Sequence, residues 1–194
     1  MKPNEKTIFL GPLTLFDYLL QMEAFHGSRS PGMLIGGFMV DLALRKLGPT
    51  PHLNMVTETV VCLPDAVQLL TPCTMGNGFL QVLDWGKFAL TAYDRVNLAG
   101  ARVGLNLEVL QGYPVIGSWF FRAEPAPPKP PFEDFCAEVL AAGQALFRFR
   151  SVQLRKALKP SERVPTGRCS RCGEFYPLRL GAVCPSCQGK AYFE

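Results

Sequence analysis

The stretch PGMLIGGFMVDLALRKLGPTPHLNMVTETVV, residues 31–61, joins an apolar helical pattern to a strand pattern. Pro31 suits the first turn of a helix, and Gly48 suits the residue that ends it. The large apolar residues between them recur at helical spacing and would form one face: Leu34, Ile35, Phe38, Met39 and Leu42. The next segment, Leu53 to Val61, is rich in Val and Thr and predicts a strand. These two neighbouring patterns predict a core built from both element types.

The surrounding segments extend this pattern in both directions. Thr14 would cap a helix from Leu15 to Phe25, with Asp17 in its first turn, where the helix dipole favours an anion. A short helix is predicted from Pro64 to Leu70, followed by a loop over residues 71–78. Three further strands are predicted: Phe79–Trp85, Lys87–Tyr93 and Ala101–Val109. We therefore expect an α+β fold, with helices packed on an antiparallel or mixed sheet.

A proline-rich segment, EPAPPKPP at residues 124–131, is expected to form an extended bridge within this core domain. A long helix is predicted over residues 132–158, with an apolar stripe of Phe135, Val139, Leu146 and Phe147. Eight Lys or Arg residues lie within residues 148–171, against one acid, Glu162. Cations that the dipole favours at a helix end explain much of this excess, and a surface for nucleic acid or an acidic partner is the alternative. We expect residues 1–158 to form the core domain and residues 159–194 a separate module.

Four cysteines define that C-terminal module. Cys169 and Cys172 form one C-x2-C pair, and Cys184 and Cys187 form a second. Each pair places two thiolates on one tight turn, and two such turns complete a tetrahedral zinc site. A redox role for the pairs is the competing interpretation, and the absence of a βαβ pattern around them disfavours it. The sequence therefore predicts a structural Zn2+ whose four thiolate ligands leave no open position for catalysis.

Composition limits the remaining classes of function. The chain has 194 residues, of which 48% are hydrophobic and 19% charged, with a net charge of +4. This mild charge disfavours a dedicated nucleic-acid-binding protein. The longest apolar run, residues 33–44, contains Gly36, Gly37 and Asp41 and is too short to span a membrane. The N-terminus lacks the apolar region of a signal peptide, so we expect a cytoplasmic protein without membrane association or a disulfide framework.

Three polar motifs occur in the core in a fixed order. They are FHGSRSPG at residues 25–32, ETVVCLPDAVQ at residues 58–68, and TPCTMGNG at residues 71–78, followed by DWGK at residues 84–87. This order resembles the E-subunit family of formylmethanofuran dehydrogenase, whose pattern is FHGH-x-CPG, E-x3-C-x2-DA-x-Q, G-CT-x-GKGN and D-x-GK. The resemblance covers roughly residues 14–110 and extends to the cysteine module, which many members carry as a treble-clef zinc finger.

The resemblance implies an α+β core, frequently dimeric, with a polar cleft. It also implies a link to methanogenesis and to molybdenum or tungsten oxidoreductases as partners. Carried over by position, the cleft residues are His26, Cys62, Asp65 and Cys73, with Thr74 and Lys87 in the following loop and strand. Ser28 stands where the family usually has histidine, Ser30 where it usually has cysteine, and Asn77 where lysine is common. Serine is a poor ligand for soft or borderline metals, so these departures disfavour a complete second metal site in the core.

The chemistry of this cleft has open alternatives. His26, Cys62 and Cys73 would supply three ligands, the number typical of an open catalytic metal site. Alternatively, His26 would activate a nearby cysteine as a nucleophile, with Asp65 orienting its ring. A third interpretation treats Cys62 as a small buried hydrophobe and Asp65 as a helix-start residue. The glycine-bearing loop at residues 74–78 would either cradle an anion or form a tight turn before a strand.

Two functions follow from these motifs. The first is a zinc-binding accessory protein that binds a partner, metal or cofactor for a molybdenum or tungsten oxidoreductase. The alternative is an independent metal- or thiol-dependent enzyme that uses His26 with Cys62 or Cys73. The motifs assign neither a substrate nor catalytic residues.

Overall fold

A computed structural model of the chain describes residues 8–121, 128–158 and 164–193. Residues 124–127 of the predicted proline-rich bridge and residues 159–163 of the predicted linker lie outside these ranges. The chain divides into two compact units, Met1–Pro160 and Ser161–Glu194. Among the described residues, no helix has both the length and the hydropathy needed to cross a bilayer.

The first unit is built on a mixed five-stranded sheet. Its strands are β3 (Leu53–Thr57), β4 (Leu80–Val82), β5 (Ala89–Asp94), β6 (Ala99–Leu105) and β7 (Phe147–Gln153). They lie in the order β4-β3-β5-β6-β7, and only the β3–β4 pair is parallel. A short antiparallel pair, β1 (Phe9–Leu10) and β2 (Leu13–Thr14), precedes the first helix. The α+β class and the mixed sheet expected from the sequence are confirmed.

The described part of this unit contains six α-helices: α1 (Leu15–His26), α2 (Pro31–Leu47), α3 (Leu63–Leu70), α4 (Leu107–Leu110), α5 (Pro114–Phe121) and α6 (Phe132–Ala142). The central helix α2 packs against β5 and β6 on one side and against α3 on another. Two glycines allow this close packing, because a Cβ at Gly36 would lie 2.8 Å from the Cβ of Ala66, and one at Gly37 2.7 Å from the ring of Tyr18. Both separations are too short for any larger residue.

The predicted long helix over residues 132–158 is wrong. The helix ends at Ala142, Gly143 adopts a φ of +54°, and residues 147–153 form β7, which pairs with β6 along its full length. The sequence FRFRSVQ alternates with the period of a strand, which sets Phe147 and Phe149 on one face and Arg148 and Arg150 on the other. Without β7, the backbone groups along one edge of β6 would lack partners, so pairing overrides local helix propensity.

Several predicted boundaries also change. The first predicted strand ends at Thr57 rather than Val61, and the strand expected over residues 79–85 is reduced to Leu80–Val82. The strand expected over residues 101–109 ends at Leu105, and residues 107–110 turn into helix α4. The alternation of apolar residues over 101–109 continues beyond Leu105, where the chain leaves the sheet. Helix α5 was not predicted from the sequence, because its eight residues are almost uniformly apolar and show no helical period.

The second unit is small and irregular. Its antiparallel pair consists of β8 (Thr166–Arg168) and β9 (Phe175–Pro177), followed by two 3₁₀ turns at Leu178–Leu180 and Ser186–Gln188. The hydroxyl of Tyr176 donates a hydrogen bond to the carbonyl oxygen of Gly181 at 2.8 Å. The buried residues of its described part are Tyr176, Cys169 and Cys184. This core is too small to hold the unit together without a further crosslink.

Candidate functional site

The four C-terminal cysteines converge on one point. The Sγ atoms of Cys169, Cys172, Cys184 and Cys187 all lie within 4.8 Å of one another. Those of Cys172 and Cys184 are 3.6 Å apart. Four thiolates about 2.3 Å from a tetrahedral zinc ion would be separated by about 3.8 Å. The arrangement therefore fits the structural Zn2+ that the sequence predicts.

Backbone hydrogen bonds favour the thiolate form of Cys169, the first of these four ligands. The backbone N–H of Cys184 donates to the Sγ of Cys169 at 3.4 Å. Hydrogen bonds from the backbone N–H groups of Cys172 and then Cys184 lower the pKa of Cys169 to about 6. The two nearby arginines reinforce the turns: Arg168 donates to the carbonyl oxygen of Gly173 at 3.0 Å, and Arg171 to that of Cys187 at 2.8 Å. Cys169 thus has the preference for the thiolate form that a zinc ligand requires, whereas the neighbouring Cys184 thiol raises the pKa of Cys187.

The core contains a second polar group, where helices α1 and α3 meet. His26 is the last residue of α1, and Asp65 lies in the first turn of α3. The Nδ1 atom of His26 is 2.7 Å from Oδ2 of Asp65. Because a carboxylate accepts hydrogen bonds, Nδ1 of His26 is the donor in this contact. Asp65 thereby fixes the orientation of the ring.

Cys62, three residues before Asp65 in the chain, has an unusual backbone conformation. It is the residue before α3, with φ 58° and ψ −43°, in the region that glycine normally occupies. Its half-buried thiol is 3.5 Å from the hydroxyl of Ser30 at the start of α2. Backbone strain at a non-glycine residue persists only when the surrounding packing enforces it. Here it directs a thiol toward the start of α2.

A glycine and a tryptophan pack around this thiol. A Cβ on Gly32 would lie 2.7 Å from the Sγ of Cys62 and 3.4 Å from the ring of Trp119. Trp119 comes from α5, and its ring makes edge contacts with Phe88 and Phe135 at centroid distances of 5.5 Å. Gly32 belongs to the FHGSRSPG motif, so its place there has a direct steric reason. Trp119 was missed because α5 showed no sequence pattern.

Tyr18 is a further neighbour that the sequence reasoning missed. Its ring is fully buried, and its hydroxyl donates to the carbonyl oxygen of Met33 at 2.6 Å. Burial first, and then the charges of Cys62 and Asp65, raise its pKa far above the usual range. A tyrosine on the apolar face of an amphipathic helix resembles an ordinary core residue. Its link to the polar group therefore had no signal in the sequence.

Cys73 is held away from this group. It is completely buried, and its thiol donates to the carbonyl oxygen of Leu53 at 3.5 Å. Burial also raises the pKa of this thiol, which keeps it protonated. Among the described residues, the four zinc-module cysteines form the one group of three or more His, Cys, Asp or Glu with all ligand atoms within 4.8 Å. His26, Cys62 and Cys73 therefore do not converge as a three-ligand set.

A family model for FmdE, described as the molybdenum formylmethanofuran dehydrogenase operon family, matches residues 25–154. The chain belongs to the FmdE family. A second model, the FmdE treble-clef zinc finger, matches residues 161–194 and agrees with the convergence of the four cysteines. The second unit is thus a zinc finger with a structural Zn2+ site. The resemblance inferred from the core motifs is confirmed.

Two similar proteins extend the comparison for this FmdE-family chain. A solved FmdE-like protein of the tungsten formylmethanofuran dehydrogenase type, from Syntrophus aciditrophicus, is 38% identical, with a TM-score of 0.84 over 94% of this chain and 96% of that one. A curated relative from Archaeoglobus fulgidus, named a probable S-adenosyl-L-methionine-binding protein, is 29% identical over 90% of this chain. The match spans 53% of that relative's length, so the chain corresponds to about half of it.

The remaining FmdE motif residues make their contacts elsewhere. Ser28 is exposed in the loop between α1 and α2. Thr74 and Asn77 bind each other: the hydroxyl of Thr74 accepts from the N–H of Asn77, and the amide oxygen of Asn77 accepts from the N–H groups of Thr74 and Phe79. These donors are used inside the loop, which favours the tight turn over the anion cradle. The ammonium group of Lys87 lies over the ring of Trp85, 5.5 Å from its centroid.

The basic stretch also has a different setting from the one predicted. Arg148 and Arg150 lie on β7 and not at the end of a helix, so a helix dipole does not explain them. Arg148 pairs with Glu108 at 2.5 Å and donates to the side-chain oxygen of Asn106 at 2.9 Å. Arg150, Arg155 and Lys156 are exposed near the same face of the sheet.

Proposed function

We propose that this FmdE-family protein is a zinc-binding accessory protein that binds a partner or cofactor of a molybdenum or tungsten oxidoreductase. The observation that carries the proposal is the hydrogen-bonded pair of His26 and Asp65, with the half-buried thiol of Cys62 three residues before Asp65, at the start of the same helix. Among the described residues, the ligand atoms of His26, Cys62 and Asp65 do not all lie within 4.8 Å of one another. Such a set suits recognition of a ligand better than retention of a catalytic metal.

The zinc finger supports a role in binding. Its four thiolates fill the coordination sphere, so the ion would stabilise the fold and leave no position for a substrate. Several large apolar side chains of the described finger are exposed: Phe175, Leu178, Leu180, Tyr192 and Phe193. Exposed aromatic and aliphatic residues at this density are typical of contact surfaces. The operon named by the family model and the Syntrophus relative favour a component of the oxidoreductase as the partner.

The name of the Archaeoglobus relative suggests a specific cofactor, S-adenosyl-L-methionine. Our proposal gives this ligand second place, because the match leaves nearly half of that relative uncovered. The half outside the match is as good a location for its ligand site as the shared half. Titration of the purified chain with S-adenosyl-L-methionine would distinguish the two.

The alternative function is a thiol-dependent enzyme with Cys62 as nucleophile. The observation that favours it is the positive φ of Cys62, since such strain is concentrated at functional sites. In that case the ring of His26 would have to approach the Cys62 sulfur to accept the proton of the thiol, and Asp65 would stabilise the resulting imidazolium. Ser30, 3.5 Å from the sulfur, would hold the thiol in position.

The test is affinity purification of the tagged full chain from its native cells, without crosslinking. We expect components of a molybdenum or tungsten oxidoreductase to be retained by the unmodified chain and reduced at least fivefold by His26→Ala/Cys62→Ser. Arg29→Gln is the matched control, because its partner Glu23 is exposed and the pair lies outside the polar group. The proposal is wrong if no component of such an oxidoreductase is retained. Turnover of a thioester or other acyl substrate by the chain alone, abolished by Cys62→Ser, would favour the enzyme.

A further inference from the structure

A row of side chains crosses the face of the sheet opposite to α2. Val56, Thr91, Arg102 and Arg150 are cross-strand neighbours on β3, β5, β6 and β7. Residues directly opposite one another in a ladder share a face of the sheet. The row therefore brings two arginines side by side, and like charges in this arrangement repel unless each is compensated.

Acidic side chains compensate the charge of only some of the cations on this face. Glu58 binds Arg102 through both carboxylate oxygens, each at 2.6 Å, and the Glu58 side chain is only 6% exposed. Arg148, two residues before Arg150 on the same face, has Glu108 as its acidic partner. Within the described ranges, no acidic side chain lies within ion-pair distance of Arg150. The same is true of Arg155 and Lys156, so these three cations have no ion-pair partner among the described residues.

The segment after β7 brings two of these cations over the sheet. The N–H of Leu154 donates to the carbonyl oxygen of Leu98 at 2.9 Å, and the N–H of Leu158 donates to the hydroxyl of Tyr93 at 3.2 Å. These two bonds fix both ends of the turn that carries Arg155 and Lys156. The turn therefore folds back onto the open face instead of extending into solvent.

A concave site lies between this turn and the row. Its volume is about 370 Å³, within the range of roughly 300–1,000 Å³ that is usual for small-molecule sites. Its apolar wall includes Leu83, Val152 and Leu154, and the Glu58–Arg102 pair also lines it. Trp85 stands at one side with 60% of its surface exposed. The site shares no residue with the His26, Cys62 and Asp65 group.

We propose that this pocket binds a small phosphorylated aromatic molecule of the nucleotide class. Arg150, Arg155 and Lys156 would pair with the phosphates, since clustered guanidinium and ammonium groups recognise phosphate oxygens through charge-assisted hydrogen bonds. The exposed ring of Trp85 would stack on the aromatic ring of the ligand. The neutralised Glu58–Arg102 pair would leave the lining free of net negative charge, so that the phosphates meet no repulsion. This binding function is independent of the accessory role proposed above.

The test is calorimetric titration of the zinc-loaded full chain with ADP at low salt. We expect a Kd of about 100 μM or lower, raised at least tenfold by Arg150→Gln/Arg155→Gln/Lys156→Gln. The control, Arg29→Gln/Arg45→Gln/Lys190→Gln, removes three exposed cations elsewhere and should leave the Kd within twofold. Arg155→Gln alone should raise the Kd at least threefold, which keeps the test decisive if the triple variant is unstable. His26→Ala should leave ADP binding unchanged, so the outcome is separate from that of the accessory role.

Two further ligands test the two halves of the proposal. Adenosine lacks the phosphates and should bind at least tenfold more weakly than ADP, whereas pyrophosphate lacks the ring and should bind equally to the unmodified chain and to Trp85→Ala. The proposal is overturned if ADP does not bind, if adenosine binds as tightly, or if the control triple loses as much affinity as the pocket triple. It is also overturned if a single-stranded RNA binds more tightly than ADP and loses affinity in the pocket triple, because the surface would then serve nucleic acid.

Discussion

The Nδ1 atom of His26 and the Oδ2 atom of Asp65 lie 2.7 Å apart although 39 residues separate them in the chain. The contact joins the end of α1 to the start of α3, so it is both part of the candidate site and a link between two helices. The His26 side chain is 23% exposed and that of Asp65 is 37% exposed. Partial solvation reduces the contribution of such a pair to stability.

A double-mutant cycle will measure this link. We expect the His26→Ala and Asp65→Ala changes to show a coupling free energy of about 0.5–1 kcal/mol, the usual range for a partly exposed pair with good geometry. The measurement is urea unfolding of the unmodified chain, both single variants and the double variant. The cycle also removes the separate effect of Asp65 on the dipole of α3. A coupling near zero would show that the contact does not persist in solution.

The second prediction concerns Gly32. Replacing it with alanine would place a Cβ 2.7 Å from the Sγ and 2.8 Å from the Cβ of Cys62. We expect Gly32→Ala to lower the free energy of unfolding by about 1–3 kcal/mol through overpacking. Cys62→Gly removes both clashing atoms and suits the positive φ at that position, so the double variant should recover most of the loss. Thermal unfolding of the three variants measures this, and equal melting temperatures for Gly32→Ala and the unmodified chain would contradict it.

The third prediction is the metal content. We expect about one zinc per chain by elemental mass spectrometry, and less than a tenth of that in Cys172→Ser/Cys187→Ser, because two thiolates alone hold zinc weakly. Cys62→Ser is the matched control and should keep its zinc. Chelation should unfold the C-terminal unit, seen as loss of hydrogen-exchange protection in residues 166–177. A second equivalent of metal that survives in the double variant but is lost in His26→Ala would instead show a metal in the core.

The fourth prediction is a pH effect of Tyr18. Its folded-state pKa is raised, chiefly by burial, whereas in the unfolded chain it ionises near pH 10. Above about pH 10 the unfolded state therefore loses this proton and the folded state keeps it, so stability falls as pH rises. Tyr18→Phe should remove part of that fall while costing about 1 kcal/mol at neutral pH for the lost bond to Met33. Urea unfolding at pH 8 and pH 10.5 gives both values, and parallel pH profiles would disprove the effect.

The helices around the candidate site were predictable because local signals define them. Thr14 accepts a hydrogen bond from the backbone N–H of Asp17, and Pro31 and Leu47 bound α2 at the predicted positions. Pro64 and Asp65 likewise mark the start of α3. Capping and helical periodicity act within a few residues, so a single sequence carries them. The helices that carry His26 and Asp65 were therefore correctly placed, whereas residues 58–61 of the second motif lie beyond the end of their predicted strand.

The sequence by itself determined the α+β class and the four-cysteine zinc site, because local periodicity and short spacings encode them, and the resemblance of its motifs indicated the family. Tertiary structure alone decided that residues 147–153 pair with β6, since that choice depends on an open sheet edge far away in sequence. It also decided that Cys73 stays buried at Leu53, that Cys62 lies beside Ser30 and that His26 binds Asp65. Which polar residues of a motif meet is set by the packing of whole helices and strands, and that packing has no local signal.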